Sequence, residues 1–266
     1  MEDVPGGCVN AQRAARVLWE AWSSGRPIPS LSEELRPRDL EEGYLIQRAL
    51  DDLAGRPAGW KIAATSPAGQ RHLGADGPMV GRLYEMQHRA SGSVLSVGTM
   101  RMRSAEPEFA FRFGAAVSAR DRGTLGVDDV LEAVDSLVLA IEVPDSRLAD
   151  FTAVGVPSLA ADAMCGGYFL LGPAIQDWRA LDLPRQAARL AVGGEEVSSG
   201  SGAAVLGDPR HALAWMANQV LDHGWELREG DIVLTGASAP PIPVHAGDEV
   251  VAEFEGLGSL EVRFEA

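Results

Sequence analysis

Two glutamates separated by one residue, Glu106 and Glu108, are the first candidates for chemistry in this sequence. They lie in the apolar run Glu106–Phe113, which is typical of a strand. Because alternate side chains of a strand share a face, the two carboxylates are about 6–7 Å apart at Cα and can bind one ion. Pro107 between them cannot donate a ladder hydrogen bond, which predicts an edge strand or a bulge. The alternative is an ordinary strand with an acidic solvent-facing side.

A third carboxylate, Glu142, interrupts the second apolar run, Leu137–Val143. A charge in a buried strand is costly unless it is paired or bound to a metal. Glu142 therefore either ends the strand, pairs with Arg147, or joins the other two glutamates. Three carboxylates together predict an oxygen-only site suited to Mg²⁺ or Mn²⁺ rather than zinc. The two cysteines, Cys8 and Cys165, and the scattered histidines form no competing ligand cluster; Cys165 is interpreted as a small core residue.

The basic residues have an unusual composition, because Lys61 is the only lysine among 23 lysines and arginines. Arginine does not give up a proton at workable pH. A lysine between Trp60 and Ile62 is expected to be partly desolvated, which lowers its pKa and suits it to proton transfer. The alternative is a coding bias toward arginine that leaves one lysine by chance.

Length, charge and composition exclude several classes of protein. The 266 residues are 46% hydrophobic, which is enough for a buried core and too much for disorder. A net charge of −15 lacks the basic footprint that nucleic-acid binding needs. Two cysteines cannot form a disulfide scaffold. The apolar runs are too short to cross a membrane, and Met1–Asn10 lacks a signal-peptide pattern, so we predict a cytoplasmic protein.

The elements that must position these residues separate into a helical beginning and a β-rich remainder. Helical spacing predicts helices over residues 10–24, from the N-cap Asp39 with its capping-box partner Glu42 to about Gly55, over Asp128–Asp135, and from Asp208 to Gly224. Strands are predicted at Ser93–Val97, Glu106–Phe113, Leu137–Val143, Tyr168–Leu171, Ile232–Leu234, Glu249–Phe254 and Ser259–Phe264. Since strands and helices do not alternate, we predict an α+β fold with a helical region 1–58 and a β-rich domain 59–266.

An ordered set of short motifs extends over nearly the whole chain. The set comprises Gly59-Trp-Lys61-Ile, Glu106-Pro-Glu108-Phe, Ile141-Glu142-Val-Pro-Asp145-Ser-Arg147, Ala161-Asp162, the glycine-containing run from Gly200 to Pro209, Leu234-Thr235-Gly236 and Ala246-Gly-Asp248. Together they resemble the hydratase/decarboxylase branch of the fumarylacetoacetate hydrolase superfamily, whose members include 2-oxopent-4-enoate hydratases and 4-oxalocrotonate decarboxylases.

The resemblance implies a mixed β-sheet roll with a small helical N-terminal region, and a homo-oligomer. A partner enzyme from the same pathway is a further expectation. It implies Mg²⁺ or Mn²⁺ bound by Glu106, Glu108 and Glu142, and a 2-oxo or 2-hydroxydienoic acid as the small-molecule substrate. Catalytic roles are implied for Lys61 and Asp162. Substrate contacts are implied at four further positions, namely Leu73, Gly74, Thr235 and Gly236.

Three departures from the family pattern bear on the reaction. Met79 stands where hydratases carry an aspartate and decarboxylases an apolar residue, and Ala163 and Cys165 replace an amide and a hydroxyl. A hydratase is favoured because no second-carboxylate clamp is visible, and a decarboxylase is the alternative. Hydrolysis of an acylpyruvate is disfavoured, since Glu142 replaces the usual aspartate and no histidine precedes His72. A scaffold homologue without turnover is the non-enzyme alternative.

Overall fold

Helices and strands are both abundant in the computed structural model, which describes residues 10–118 and 123–266. The α-helices of the described residues are α1 Ala11–Ser24, α2 Leu40–Ala54, α3 Pro67–Leu73, α4 Val127–Leu131, α5 Val156–Ala161 and α6 Pro209–Asp222. The strands are β1 Pro57–Ala63, β2 Met79–Tyr84, β3 His88–Ala90, β4 Val94–Ser96, β5 Ser104–Phe113, β6 Val134–Val143, β7 Tyr168–Ile175, β8 Ala187–Val192, β9 Glu195–Ser201, β10 Ile232–Ala237, β11 Ile242–Pro243, β12 Glu249–Phe254 and β13 Gly258–Glu265. No helix of the described residues has the length and apolar character needed to span a bilayer.

The strands form two mixed sheets. The larger has the order β2-β1-β10-β5-β6-β7-β3, with β11 added to β5, and the smaller has the order β4-β13-β12-β8-β9. The pairs β1/β10, β3/β7 and β4/β13 are parallel, whereas the others are antiparallel. Between the sheets, Phe109 meets Phe254 edge to face with ring centroids 5.2 Å apart. The predicted α+β fold with mixed sheets is confirmed.

Helices α2 and α6 begin directly after the capping residues that the sequence predicts. The Asp39 side chain accepts the backbone N–H of Glu42 at 2.9 Å, and α2 follows directly. In return, the Glu42 carboxylate accepts the backbone N–H of Arg38, which precedes the cap. Asp208 caps α6 by accepting the N–H of Arg210. These caps satisfy N–H groups that the first helical turn leaves without intrahelical partners.

The prediction of a helix over Asp128–Asp135 was too long. Helix α4 ends at Leu131, and β6 has already begun at Val134, which pairs with Phe113 of β5. The sheet extends at the expense of the helix because β5 offers ten residues for pairing. Backbone pairing with a neighbour therefore overrides local helix propensity here.

Strand β1 is not among the predicted strands, and it begins with the helix- and strand-breaking residues Pro57 and Gly59. Gly59 has φ +144°, and a Cβ there would lie 1.9 Å from the carbonyl oxygen of Ile232 on β10. Glycine thus permits the close approach of β1 to β10 rather than ending an element. Strand β1 begins at Pro57 and so crosses the boundary between the predicted regions 1–58 and 59–266. The division into these two regions stays a prediction. The signal-peptide expectation falls mostly on residues 1–9, which lie outside the described residues, as does Cys8.

Strand β5 is internal, so the edge-strand alternative for Pro107 was wrong. It pairs with β6 on one side and β10 on the other. The irregularity lies on the facing strand, where the register of β10 shifts between Leu234 and Ala237. Pro107 contributes its carbonyl, which accepts the N–H of Ser238 at 2.8 Å. The break in the ladder therefore lies next to Glu108, which pairs with Ala237 of β10.

Candidate active site

Strand pairing brings the three predicted carboxylates together. Glu106 lies directly opposite Glu142 in the register of β5 and β6, and Glu108 is two residues along the same face. One carboxylate oxygen from each glutamate lies within 4.8 Å of the other two. Glu108 and Glu142 are only 1% exposed. The suggested pairing of Glu142 with Arg147 is absent from the ion pairs of the described residues, where Arg147 pairs with Asp162.

The cluster retains carboxylate oxygens without a protein donor. Glu108 Oε2 accepts the N–H of Gly236 at 2.7 Å, whereas Glu108 Oε1 and Glu142 Oε2 are buried without a hydrogen-bond partner among the described residues. Burial, followed by the charge of Glu142, raises the pKa of Glu106 to about 7 and the pKa of Glu108 well above its usual value. A hard divalent cation would satisfy these oxygens and remove that electrostatic cost, so the residues fit such an ion.

Lys61 lies beside this cluster on β1. Its Nζ is 2.7 Å from Glu142 Oε1 and 3.2 Å from the carbonyl oxygen of Met164, and the residue is 5% exposed. The expected lowering of its pKa was wrong. Burial acts in that direction, but the charges of Glu142, Glu106 and Glu108 outweigh it and raise the pKa of Lys61. In the protein without a cation, Lys61 is therefore an ammonium that offsets the carboxylates.

The acceptor for Lys61 belongs to an unusual turn. Ala163, Met164 and Cys165 have φ values of +48°, +50° and +59°, a left-handed conformation that costs free energy for residues other than glycine. The turn packs against β2, where a Cβ at Gly81 would lie 2.4 Å from the Ala163 carbonyl oxygen. No glycine or asparagine within the turn signals this conformation, so the sequence analysis missed it.

A cavity of about 570 Å³ opens over Lys61, Glu106 and Glu142. Much of its remaining wall is apolar and includes Leu73, Met102, Pro144, Met164, Ala239 and Pro240. Among these, only Leu73 was predicted, and the others lie in turns and strand ends without a periodic signal. Gly74 is not part of the wall; it ends α3 with φ +66°. Its substrate contact stays a prediction.

Cys165 is both a core residue and part of the cavity wall. It is 3% exposed, and burial, followed by the charge of Asp162, raises the pKa of its thiol to about 12. The thiol is therefore neutral at physiological pH and behaves as a small, weakly polar side chain.

Thr235 and Gly236 lie behind the cluster rather than on the cavity wall. The Thr235 hydroxyl donates to the carbonyl of Phe109 at 2.8 Å. Gly236 has φ +111°, and a Cβ there would lie 2.3 Å from Thr65 Oγ1. The two residues thus fix the strand next to Glu108, while their direct contact with a substrate stays a prediction.

Asp162 is fully buried and forms a network with Ser146 and Arg147. Its carboxylate accepts the Ser146 hydroxyl at 2.7 Å and the Arg147 backbone N–H at 3.1 Å, and it pairs with the Arg147 guanidinium. Burial raises its pKa despite these donors. Asp162 does not line the cavity, and its network connects the loop after β6 to the left-handed turn. Its catalytic role stays a prediction.

The chain is similar to known hydratases in sequence and to a solved decarboxylase in structure. A 2-keto-4-pentenoate hydratase of Burkholderia vietnamiensis is 36% identical over 258 residues, covering 96% of this chain and 97% of that protein. A 2-hydroxyhexa-2,4-dienoate hydratase of Comamonas testosteroni is 31% identical, covering 93% and 94%. The solved 4-oxalocrotonate decarboxylase of Pseudomonas putida G7, a complex with magnesium and adipate, superimposes with a TM-score of 0.86 at 24% identity, covering 97% of this chain and 100% of that chain.

The model of the fumarylacetoacetate (FAA) hydrolase C-terminal family matches residues 87–265. That range includes all three clustered glutamates, and the hydratase relatives extend the similarity to the N-terminal helices. The chain therefore belongs to the fumarylacetoacetate hydrolase family.

Proposed function

We propose that this protein is a metal-dependent lyase that adds water to a 2-hydroxy-2,4-dienoate and yields a 4-hydroxy-2-oxo acid. The observation that carries the proposal is the convergence of Glu106, Glu108 and Glu142, with oxygens lacking protein donors, at a cavity beside Lys61. Hydratases similar over nearly the whole chain support the reaction class.

The three glutamates would bind Mg²⁺ or Mn²⁺ through their carboxylate oxygens. A divalent cation bound there would act as a Lewis acid that polarises the 2-oxo group and stabilises the negative charge that develops on its oxygen. The magnesium in the structurally similar decarboxylase supports this assignment. The buried, anionic setting of the cluster makes a divalent cation stabilising, because it offsets carboxylates that already repel one another.

Lys61 is the residue that would hold or move a proton. Two of its N–H groups have acceptors in Glu142 and the Met164 carbonyl, which leaves the third for a bound substrate. In the overall reaction the dienol ketonises by protonation at C5, and water then adds hydroxide at C4 and a proton at C3. An ammonium beside the C1–C2 end stabilises the developing negative charge. Asp162 would act by positioning, through Arg147 and the left-handed turn that presents the Met164 carbonyl.

Decarboxylation of a 2-oxo-3-hexenedioate is the second candidate. Met79 occupies the position at which hydratases carry an aspartate, which favours it. Met79 is buried on β2, pairs with Ala63, and is not part of the cavity wall. Both reactions need the same stabilisation of a dienolate, so the metal and lysine assignments apply to either.

One assay separates the candidates. Metal-loaded protein is incubated with 2-hydroxypenta-2,4-dienoate or with 2-oxo-3-hexenedioate, and the loss of dienol absorbance, the hydrated product and released CO₂ are followed. We expect hydration of the first substrate and its loss in Glu108→Gln. Release of CO₂ without a hydrated product would assign decarboxylation, and near-zero rates equal to those of Glu108→Gln would favour a scaffold role.

We further propose that the protein acts as a cytoplasmic homo-oligomer in the degradation of aromatic compounds, alongside a partner enzyme of the same pathway. Small-molecule oxo acids are the substrates that the hydratase relatives imply. Light scattering of the purified protein tests the oligomer, and co-purification with a supplier of dienoates tests the partner.

A further inference from the structure

We propose that the cavity selects 2-oxo acids with an uncharged, apolar tail and rejects those that end in a second carboxylate. The inference rests on the proposed function in one respect, namely that the 2-oxo acid end of the substrate lies at Glu106, Glu108 and Glu142. The tail then occupies the rest of the cavity of about 570 Å³.

The first argument is the distribution of positive charge. Arginine supplies all basic residues except Lys61, yet no arginine of the described residues lines the cavity. Lys61 itself is already paired with Glu142. A second carboxylate on the substrate would therefore lose its hydration without gaining a cationic partner, which is strongly unfavourable.

The second argument is the shortage of backbone donors. Pro144, Pro240 and Pro241 are parts of the wall, and proline has no backbone N–H. The carbonyl oxygen of Pro240 accepts a hydrogen bond from the Ser198 hydroxyl, so it is engaged elsewhere. The side chains next to these prolines supply no cation, because Val143, Ala239 and Ile242 are apolar and Asp145 is an acid. This part of the wall offers apolar contact but little with which to bind an anion.

The third argument is the chemistry of the other side chains of the wall. Leu73, Met102 and Met164 contribute flexible apolar side chains, which favour an alkyl or aryl group. His72 is the remaining titratable group of the wall besides Lys61, the two glutamates and Cys165. Its exposed ring packs against Phe151 with centroids 5.7 Å apart. The hydroxyls of Thr65 and Ser66 are neutral donors, which leaves His72 as the wall side chain that can offer a distal carboxylate a positive charge, so the test includes it.

Saturated 2-oxo acids measure the selectivity without turnover. Isothermal titration of the Mg²⁺-loaded protein compares 2-oxohexanoate with 2-oxohexanedioate, which differ only in a methyl or a carboxylate at C6. We expect 2-oxohexanoate to bind at least tenfold more tightly. In the series from 2-oxobutanoate to 2-oxohexanoate, each added methylene is expected to tighten binding about fourfold.

Substitutions on the wall identify the cause. Leu73→Lys introduces a cation and is expected to reduce the difference between the two acids to within about threefold or to invert it, whereas the matched control Leu73→Met keeps it. His72→Gln is expected to leave the preference unchanged. Tighter binding of 2-oxohexanedioate to the unmodified protein, above all if His72→Gln abolishes it, would overturn the inference.

The outcomes distinguish this inference from the proposed function. Hydratase turnover together with a preference for 2-oxohexanedioate would refute the apolar tail and leave the reaction intact. A preference for 2-oxohexanoate without turnover of any dienoate would support the tail selectivity and refute the hydratase. Failure of all the 2-oxo acids to bind would refute both.

Discussion

Removing the charge of Lys61 by Lys61→Met should destabilise the metal-free protein strongly. The ammonium lies 2.7 Å from Glu142 Oε1, with the two side chains 7% and 1% exposed. Taking one partner from a buried ion pair typically costs about 3–5 kcal/mol, because the other charge stays buried and unpaired. At roughly 2–4 °C per kcal/mol for a protein of this size, the melting temperature should fall by about 6–20 °C.

The pH dependence of this loss has a definite sign. Lys61 has a folded-state pKa above its ordinary value of 10.5, so the stabilisation from its charge is fully present below that pH. One of the carboxylates near it, Glu106, becomes neutral as pH falls through about 7. The loss caused by Lys61→Met should therefore be larger at pH 8 than at pH 5.5.

Thermal unfolding in EDTA at both pH values is the assay. In the double variant Lys61→Met/Glu142→Gln, the loss should be smaller than the sum of the two single losses by about 2 kcal/mol, since both charges are gone. Arg189→Met breaks an exposed pair with Glu253 and serves as the control, for which no measurable shift is expected. Excess Mg²⁺ should restore much of the stability of Lys61→Met. Strictly additive losses, or a single variant as stable as the unmodified protein at pH 8, would refute the reasoning.

Three further predictions concern the surroundings of the cluster. Because the pKa of Glu106 is raised to about 7, the unfolded chain binds fewer protons than the folded one between about pH 4.5 and 7, so this group lowers the stability of the metal-free protein as pH rises through that window. Mg²⁺ binding should therefore release protons and become tighter from pH 6 to pH 8. Calorimetry in buffers of different ionisation enthalpy should detect the released protons, and a release of zero protons at pH 6.5 would contradict the prediction. Gly236→Ala should lower the free energy of unfolding by about 2 kcal/mol or more and weaken Mg²⁺ binding, because the new Cβ would collide with the Thr65 hydroxyl. The control Gly207→Ala, at φ +83° in open space, should cause a smaller loss in urea unfolding and leave the Mg²⁺ affinity unchanged. Equal effects of the two substitutions would count against the collision. Arg147→Met should cost about 3–5 kcal/mol by stranding the buried Asp162, and adding Asp162→Asn should recover part of it; a double variant less stable than Arg147→Met would show that the charge is not the cause.

Local patterns in the sequence were sufficient to identify the three acidic residues, but not to show that they converge. The alternation in Glu106–Phe113 placed two carboxylates on one face, and the apolar run around Glu142 marked a buried strand whose charge needed a partner. Both signals depend on the two-residue period of a strand, which tertiary packing preserves. The choice among pairing, strand ending and clustering depended on the register between β5 and β6, which no local pattern contains.

Features that depend on distant contacts were missed or given the wrong sign. The pKa of Lys61 rises because three glutamates from other strands surround it, whereas its sequence neighbours predicted only desolvation. Strand β1 was overlooked because the function of Gly59 is visible only once β10 lies against it. The suggested partner of Arg147 was Glu142, whereas its partner is Asp162, fifteen residues away in sequence and adjacent in space.

In the left-handed turn at Ala163, Met164 and Cys165, the backbone and the side chains make different contacts: the backbone binds Lys61, and the side chains line the cavity. The atom that accepts the hydrogen bond from Lys61 Nζ is a main-chain oxygen, which every amino acid possesses. The side chains of Met164 and Cys165 form part of the cavity wall. Replacement of those side chains can therefore reshape the cavity while the Lys61 ammonium keeps its acceptor, provided that the turn keeps its left-handed backbone conformation. Substitutions at Met164 and Cys165 can thus alter the volume and polarity of this part of the wall independently of the hydrogen bond that orients Lys61.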